Sequence, residues 1–508
     1  MGIVNIGEAN LTANIVPDVT IQLVAPQVQI LNGVQTGRVG MVGTAAYGPV
    51  GIPVSFGSYD SYVRNFGPLQ YRPFDMGVLA ATAYQQGATD MYGVRVTDGT
   101  DTAASAVVQT NCLTLTAKYT GGKGNDIKVD IGPGSQLNTY KATVNFPGMG
   151  MLPEIFDNLS GTGNALWVQL ASAINNGQAL IRSASEIVVA TAGAGTAEPA
   201  TASYALTGGS DGTTSVTDAT LVGVDTIPRK GMYSLRNTGC RAIALAEVDD
   251  TSTWPAQVAL GRKEGAYMVL VGAAGESVSA AVAAKQAAGI DDMAAKVLLG
   301  DWPYWLDSQN NVAERLVSPQ GFALGRYATL SPEQSALNKP VFAIIGTQRT
   351  KMGRPLGPDE LIALGQAGID TITSPSPGGD YYSMRFGRNS SSNPTIRGDN
   401  HTRLSYYLAA TLQKGMGPFV GQTHTAKLRN SCKASLDNLF GNMVDLDMLE
   451  WFNTICNESN NPINRRGAGW LQANVQARYY GIVEQLVVNL EGGTTVQVTR
   501  LNIQPAAA

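Results

Sequence analysis

Charge is scarce in this chain of 508 residues. Asp, Glu, Lys and Arg make up only 15% of it, and 35 basic side chains against 39 acidic ones leave a formal net charge of −4. No polybasic tract occurs, so the chain carries no electrostatic footprint for nucleic acid or an anionic membrane surface. Cysteine is rare as well. Cys112, Cys240, Cys432 and Cys456 are widely scattered, with no CxxC and no short repeated spacing, which predicts reduced thiols over a disulfide framework. The two histidines, His401 and His424, have no partner at ligand spacing, so capping or surface roles are expected in place of metal ligation. No run of about twenty apolar residues exists, and the Ala-rich stretch 277–300 is broken by Lys285, Asp291, Asp292 and Lys296. The first residues show no basic segment followed by an apolar one, as a secretory signal requires. These absences predict a soluble cytoplasmic protein with no membrane insertion, no direct nucleic-acid partner and no cofactor.

What the chain has in quantity is glycine (58 residues) and apolar side chains (44%), the balance of a folded, turn-rich protein. Its length predicts roughly two to four domains. Residues 11–23 alternate, with Leu11, Ala13, Ile15, Val19, Ile21 and Leu23 on one face; Pro17 on that face argues for an edge or extended segment. Residues 38–44 read as a short apolar strand, 58–66 as a capped helical turn, 76–86 as a helix stopped by Gly87, and 91–96 as a strand. From about residue 100 the composition turns to Thr, Ala, Gly and Val, with strand patterns at 113–119, 127–131, 140–144 and 186–190 and a helix over 165–175. Strands then alternate with helices again: 242–246, 254–263, 266–272, 278–288 and 296–299 in turn, followed by helices at 318–327 (Ser318 as N-cap, Pro319 at its first position) and 359–367. Trp302 and Trp305 flank Pro303 and read as packed core. The pattern predicts an α/β (α+β) multidomain protein: a three-layer α/β core interrupted by a β-rich insertion.

The last hundred residues are the most informative. Leu404, Tyr407, Leu408, Thr411 and Leu412 mark a helix over 401–412, and Leu428, Cys432, Leu436, Leu439, Phe440 and Met443 mark a second over 423–449. Residues 479–490 are rich in β-formers, Gly492-Gly493 is a turn, and Val496, Val498, Leu501 and Ile503 form a final alternation. A strand so late has no downstream chain to cover its edge and must pair with something.

Little in the sequence supports catalysis. Gly208-Gly-Ser210-Asp-Gly212 matches the G-x-S-x-G nucleophile elbow literally, but the flanking residues supply neither the strand nor the helix that lifts such a serine, so it reads as a turn. Gly121-Gly-Lys-Gly-Asn125 lacks the spacing of a phosphate loop. Asp249-Asp250 and Asp291-Asp292 read as helix-starting or solvated carboxylates. No enzyme is expected; the alternative is an α/β hydrolase-like protein using Ser210.

Several of these stretches, in this order, resemble the contractile tail sheath proteins of myovirus-type bacteriophages. Val39-Gly-Met-Val-Gly-Thr-Ala-Ala-Tyr-Gly-Pro49, then Pro53, Tyr59, Phe66-Gly67, Gly87 and Gly93-Val-Arg-Val96, look like the family's opening pattern. Leu115-Thr-Ala-Lys-Tyr119 with Gly124-Asn125, and later Leu206-Thr-Gly-Gly-Ser-Asp-Gly212, are similar to the two ends of its outer domain. Asp301-Trp-Pro-Tyr-Trp-Leu306, Val317-Ser-Pro319 and Ala323-Leu-Gly-Arg326 resemble its mid-core segment; residues 403–412, Pro418-Phe-Val-Gly421 and the helix beyond resemble its C-terminal helices.

The resemblance implies a structural subunit of a helical homopolymer that surrounds a tail tube, contracts without a nucleotide and drives the tube through a host envelope. Its partners are then the tube protein, baseplate and tail terminator proteins, and its place a virion tail assembled in the host cytoplasm; a phage-derived tail-like particle is the alternative. The implied organisation is an N-terminal arm (1–25), the first part of the core (26–100), the inserted outer domain (101–212), a middle α/β domain (213–395), a C-terminal inner domain with a tube-facing helix (396–490) and a C-terminal arm (491–508). The arms would add strands to neighbouring subunits through Leu11, Ala13, Ile15, Val19 and Ile21 and through Val496, Val498, Leu501 and Ile503; on pattern alone the two ends could equally pair with each other. The basic early portion of the second C-terminal helix, with Lys427, Arg429 and Lys433, is the implied tube-facing site.

Overall fold

Four stretches are buried at every position: Val39–Gly43, Ala242–Leu245, Tyr267–Val271 and Ala295–Leu298. Strands with no solvated face belong inside a parallel sheet covered on both sides. The computed structural model of the chain describes residues 4–6, 21–23, 31, 33–488 and 490, and there these four lie side by side. They continue through Met91–Arg95 to Pro53–Phe56, forming a six-stranded sheet. Every pairing is parallel except the last, in which Pro53–Phe56 runs against Met91–Arg95. Val39–Gly43 pairs directly with Ala242–Leu245, so chain from before and after the insertion is stitched into one sheet. The stretches separated in the sequence as 26–100 and 213–395 therefore share one core.

Side-chain parity assigns the layers. Tyr267 meets Tyr327 of the Gln320–Thr329 helix edge-on, with centroids 5.2 Å apart, while a Cβ on Gly261 of the Trp254–Glu264 helix would strike Met268. Successive residues of a strand point to opposite faces, so these helices cover opposite sides. The Met76–Gln85 helix joins the first layer, where Gly43 leaves room for the backbone at Phe74 and Met76; the 3₁₀ turn Gly231–Leu235 joins the second beside Gly40. The three-layer α/β core expected from the sequence is present. The helix expected to open at Ser318 and Pro319 begins at Gln320, with Ser318 Oγ accepting the Gln320 N–H at 3.3 Å. Trp302 and Trp305 are buried as expected, although Pro303–Asp307 is also the centre of a small antiparallel sheet between Val312–Leu316 and Ile344–Thr347, which the aromatic cluster did not announce.

The insertion has its own core. Glu154–Leu159, Tyr140–Asn145, Lys128–Pro133 and Ala202–Ala205 form one antiparallel sheet; Val188–Ala192, Leu113–Ala117 and Ser105–Val108 form another, with the Asn164–Asn176 helix packed against both. Its buried cluster runs from Ala104 to Leu206 and borrows one residue, Tyr47, from the core domain. Three strands, Ser105–Val108, Glu154–Leu159 and Ala202–Ala205, were not expected. A third cluster gathers the C-terminal helices Asp399–Gly415 and Ala426–Asp445 with the antiparallel pair Trp451–Ile455 and Asn474–Arg478.

Candidate assembly surfaces

The places where the units meet, and where the described chain leaves them, are the informative ones. Two residues tie the insertion to the core. Arg95, fully buried in the sheet, donates through Nη1 to Gly48 O (2.7 Å) and Thr120 O (2.6 Å) and through Nη2 to Asp211 O (3.1 Å). Asp211 also accepts from the Gly122 N–H and from Arg72. Gly48 belongs to the core domain, and Thr120 and Asp211 to the insertion, so one guanidinium ties the two together. Ser210 lies at this junction: its backbone exchanges 3.1 Å hydrogen bonds with Thr102 in both directions, an antiparallel bridge in place of the turn expected from the sequence. Neither histidine hydrogen-bonds to it. His401 rests against Tyr479, and both ring nitrogens of His424 lack a protein partner, so no Ser–His pair is assembled. The acid pairs are likewise structural. Asp250 caps the Thr251–Thr253 turn, Asp291 holds Ser392, and Asp292 pairs with Arg262. Among the described residues there is no group of three or more His, Cys, Asp and Glu side chains arranged to hold a metal, and no helix is long and apolar enough to cross a membrane.

The C-terminal unit is fixed to the core by Arg403. Its guanidinium donates to Tyr327 O (2.9 Å), Leu330 O, Ser331 O (3.0 Å) and Gln334 O (3.1 Å), capping the open carbonyls at the end of the Gln320–Thr329 helix. Burial lowers its pKa, partly offset by the neighbouring Asp399 carboxylate.

Both ends of the described chain root on the same helix, Asp399–Gly415. On the N-terminal side, Leu31 lies against Gly415, Gly33 passes so close to the Tyr407 hydroxyl that no Cβ would fit, and the Val34 N–H reaches Thr411 Oγ1 at 3.3 Å. On the C-terminal side, the Tyr479 hydroxyl and Ser405 Oγ are 3.2 Å apart and the Tyr479 ring sits 5.2 Å from that of His401. At about 100° per residue these two sets of contacts lie on different faces of the helix.

Of the expected arm residues, Leu11, Ala13, Ile15, Val19, Val496, Val498, Leu501 and Ile503 lie outside the described residues. Ile21 begins the short strand Ile21–Leu23, which pairs in parallel with Val4–Ile6 of the same chain. The strand expected over 479–490 is not formed among the described residues. Asn474–Arg478, just before it, is the strand, and the described residues past Arg478 run unpaired. The physical reason is that Trp451–Ile455 is only five residues long and its register is filled at Arg478. Beyond that point Leu486, Val487 and Leu490 are 83%, 76% and 91% exposed. Glu484 anchors this run, bridging Arg388 and Arg397 (3.1 Å to the latter) at the rim of a groove of ≈ 620 Å³ lined by Leu337, Ile362 and Phe386.

The basic helix also differs from expectation. It runs from Ala426 to Asp445 behind a Thr425 cap rather than over 423–449. Lys427 is exposed, but Arg429 is buried and paired with Glu458 at 3.1 Å, and Lys433 pairs with Asp437 at 2.5 Å. Lys427 and Arg429 are two residues apart on a helix, so the three charges do not form one free face. Sequence reasoning passed over the short helix Ile463–Gly467 beyond, where Ile463, and Trp470 just after the helix, are 80% and 68% exposed near Arg465 and Arg466; the adjacent Arg465-Arg466 was the available signal.

No protein-family model matches the chain, and no curated protein matches it. Its fold does match solved structures. The sheath tail protein of Desulfitobacterium hafniense aligns with a TM-score of 0.57 at 18% identity, covering 87% of this chain and 94% of that one. The sheath tail protein of Listeria innocua aligns at 0.56 and 13% identity, covering 81% and 86%. The helical sheath of the anti-feeding prophage in its contracted state aligns at 0.55 and 12% identity, covering 94% and 99%. The chain is thus similar to these proteins over most of their length, and it has the fold of the contractile tail sheath proteins.

Proposed function

We propose that the chain is the subunit of a contractile sheath, a mechanical component with no reaction of its own. It polymerises helically around a tail tube, joins neighbours through its two arms, and shortens to push the tube through a host envelope. The observation that carries this reading is the near full-length likeness to sheath subunits, one of them solved within a contracted helical sheath. The exposed apolar run from Val483 to Leu490 supports it, because a strand-forming segment without a partner in its own subunit is suited to completing a neighbour's sheet. In this reading the N-terminal residues up to Ile21, and Val496 to Ile503, are the linking strands; Lys427, the exposed charge of the basic helix, faces the tube, and baseplate and terminator proteins close the ends. The tail belongs to a phage virion assembled in the host cytoplasm, or to a phage-derived particle with the same sheath.

Electron microscopy of the purified protein is the test. Hollow, cross-striated cylinders are expected; closed shells, or monomers under all conditions that polymerise sheaths, would overturn the reading. Replacing Ser210 by Ala is expected to leave the cylinders unchanged, whereas a hydrolase would lose its activity.

A further inference from the structure

Among the described residues, Lys123, Lys263, Lys351 and Lys433 form ion pairs that are partly exposed. The pair of Lys296 with Asp370 is different, its side chains being 0% and 1% exposed. Lys296 lies on Ala295–Leu298, the edge strand of the six-stranded sheet, and Leu298 of that strand forms a parallel bridge with Asp370. The Asp370 N–H donates to Val297 O and the Leu299 N–H to Asp370 O, each at 2.8 Å. Side chains two apart on a strand share a face, so Lys296 points to the side that Asp370 occupies, and Lys296 Nζ meets Asp370 Oδ2. The rest of the carboxylate is enclosed by backbone donors. Oδ1 accepts the N–H groups of Thr371 (2.8 Å), Arg385 (3.1 Å) and Phe386 (2.9 Å), and Oδ2 accepts that of Gly387 (2.9 Å). Gly387 also brings in a second buried acid, because its C=O accepts the Asp399 N–H at 3.1 Å. A primary amine in contact with a carboxyl group, donors gathered on one carboxyl oxygen and a neighbouring acid thus meet in a place closed to solvent.

We propose that Lys296 and Asp370 condense in the folded chain to a side-chain amide between Nζ and Cγ, a covalent clamp on the edge of the core sheet. The ammonium first passes one proton to Asp370 Oδ2 across the ion pair, giving an amine and a carboxylic acid. The amine lone pair attacks Cγ and forms the C–N bond, while the Cγ–Oδ1 π pair moves onto Oδ1. The N–H groups of Thr371, Arg385 and Phe386 already point there, at the atom where negative charge develops. As that pair returns, the Cγ–Oδ2 bond breaks and Oδ2 leaves as water with a second proton from the nitrogen. Asp399 carries this proton, giving its own to Oδ2 and regaining one from Nζ. Burial raises its carboxyl above the ordinary range, against the pull of the Lys296 ammonium, which suits it to both transfers. One ammonium and one carboxylate become one amide and one water, with no oxidant or outside reagent. Holding the two groups in contact replaces the encounter that limits the same condensation between separate molecules. The clamp does not depend on the sheath reading.

The experiment measures the intact mass of the full chain, purified folded and then unfolded in acid. The chain is expected to be one water lighter than its unlinked form. Trypsin should fail to cut at Lys296, and the digest should contain the peptide 286–315 joined to the peptide 352–385, in place of separate 286–296, 297–315 and 352–385. Lys296→Met and Asp370→Ala should keep the full mass of their sequences. Asp399→Asn should form the bond more slowly, seen as a full-mass fraction in fresh protein that declines with time. Full mass in folded wild-type protein would overturn the proposal, as would a water lost elsewhere, such as a succinimide at Asp98-Gly99 or Asp211-Gly212. A bond formed at the wild-type rate in Asp399→Asn would overturn the part given to Asp399. Because the wild-type chain carries the main measurement, the outcome does not depend on any variant folding.

Discussion

Arg403 turns its guanidinium onto four carbonyls at the end of the Gln320–Thr329 helix while sitting beside buried Asp399. Replacing it by Met keeps the aliphatic stem and removes every one of those donors. Hydrogen bonds to charged groups are worth about 1.5–3 kcal/mol each, so Arg403→Met is expected to destabilise the protein by at least about 3 kcal/mol, read from chemical denaturation. Asp75 gives a different signature. It starts the Met76–Gln85 helix, accepts the Gln70 N–H at 2.9 Å and lies 3.8 Å from Arg72, but burial dominates and pushes its carboxyl up to about 7. Glu247 nearby is raised in the same direction by burial. An acid whose folded pKa is raised holds its proton more tightly in the native state. Its stabilising contribution is thus complete below the ordinary carboxylate pKa and is lost as pH rises toward 7. The expected result is a decline in stability between pH 4 and pH 7 of at most about 4 kcal/mol from Asp75. Asp75→Asn should flatten that slope in denaturation curves measured across the range.

At the level of elements, the Glu484 bridge to Arg388 and Arg397 is the polar anchor of the run toward Leu490. Glu484→Lys places like charges together at an exposed rim. Melting should change little, since exposed pairs contribute about 0–1 kcal/mol, while hydrogen exchange over 479–488 should rise and cylinders should form less readily. The sequence revealed the core strands because they are apolar without interruption, and it revealed the C-terminal helices because their stripes repeat at helical spacing. It misplaced the strand near 479 for an equally physical reason. Asn474-Val-Gln-Ala-Arg478 has only two apolar residues and is a strand because Trp451–Ile455 lies beside it. The stretch after it has the β-forming side chains but no edge within reach. Ser105–Val108 and Ala202–Ala205 were missed alike: their half-exposed Ala and Ser residues carry little pattern, and pairing with Leu113–Ala117 and Lys128–Pro133 makes them strands. The pairing of charges around Arg429 was not legible at all, because Glu458 comes from a loop 29 residues away.

For the molecule as a whole, the insertion is a body with its own core, and the Asp98 N–H bonds Gly212 O at 2.8 Å across its neck. Excising residues 99–211 with a short Gly linker should leave the six-stranded sheet intact by circular dichroism. Arg95 would lose the carbonyls of Thr120 and Asp211, so Arg95→Leu should partly restore the stability of that deletion. Removing the residues after Gly493 should yield a folded, monomeric protein that forms no cylinders; normal cylinders would rule out a linking role for Val496 to Ile503. The shared footing of the two chain ends on the Asp399–Gly415 helix carries a mechanical consequence. In the proposed sheath, a pull that entered a subunit at residues 31–34 and left at Tyr479 would find a short path across this one helix, about 25 Å long. In the proposed sheath the core sheet and the insertion would lie beside that line, joined to it in part through Arg403.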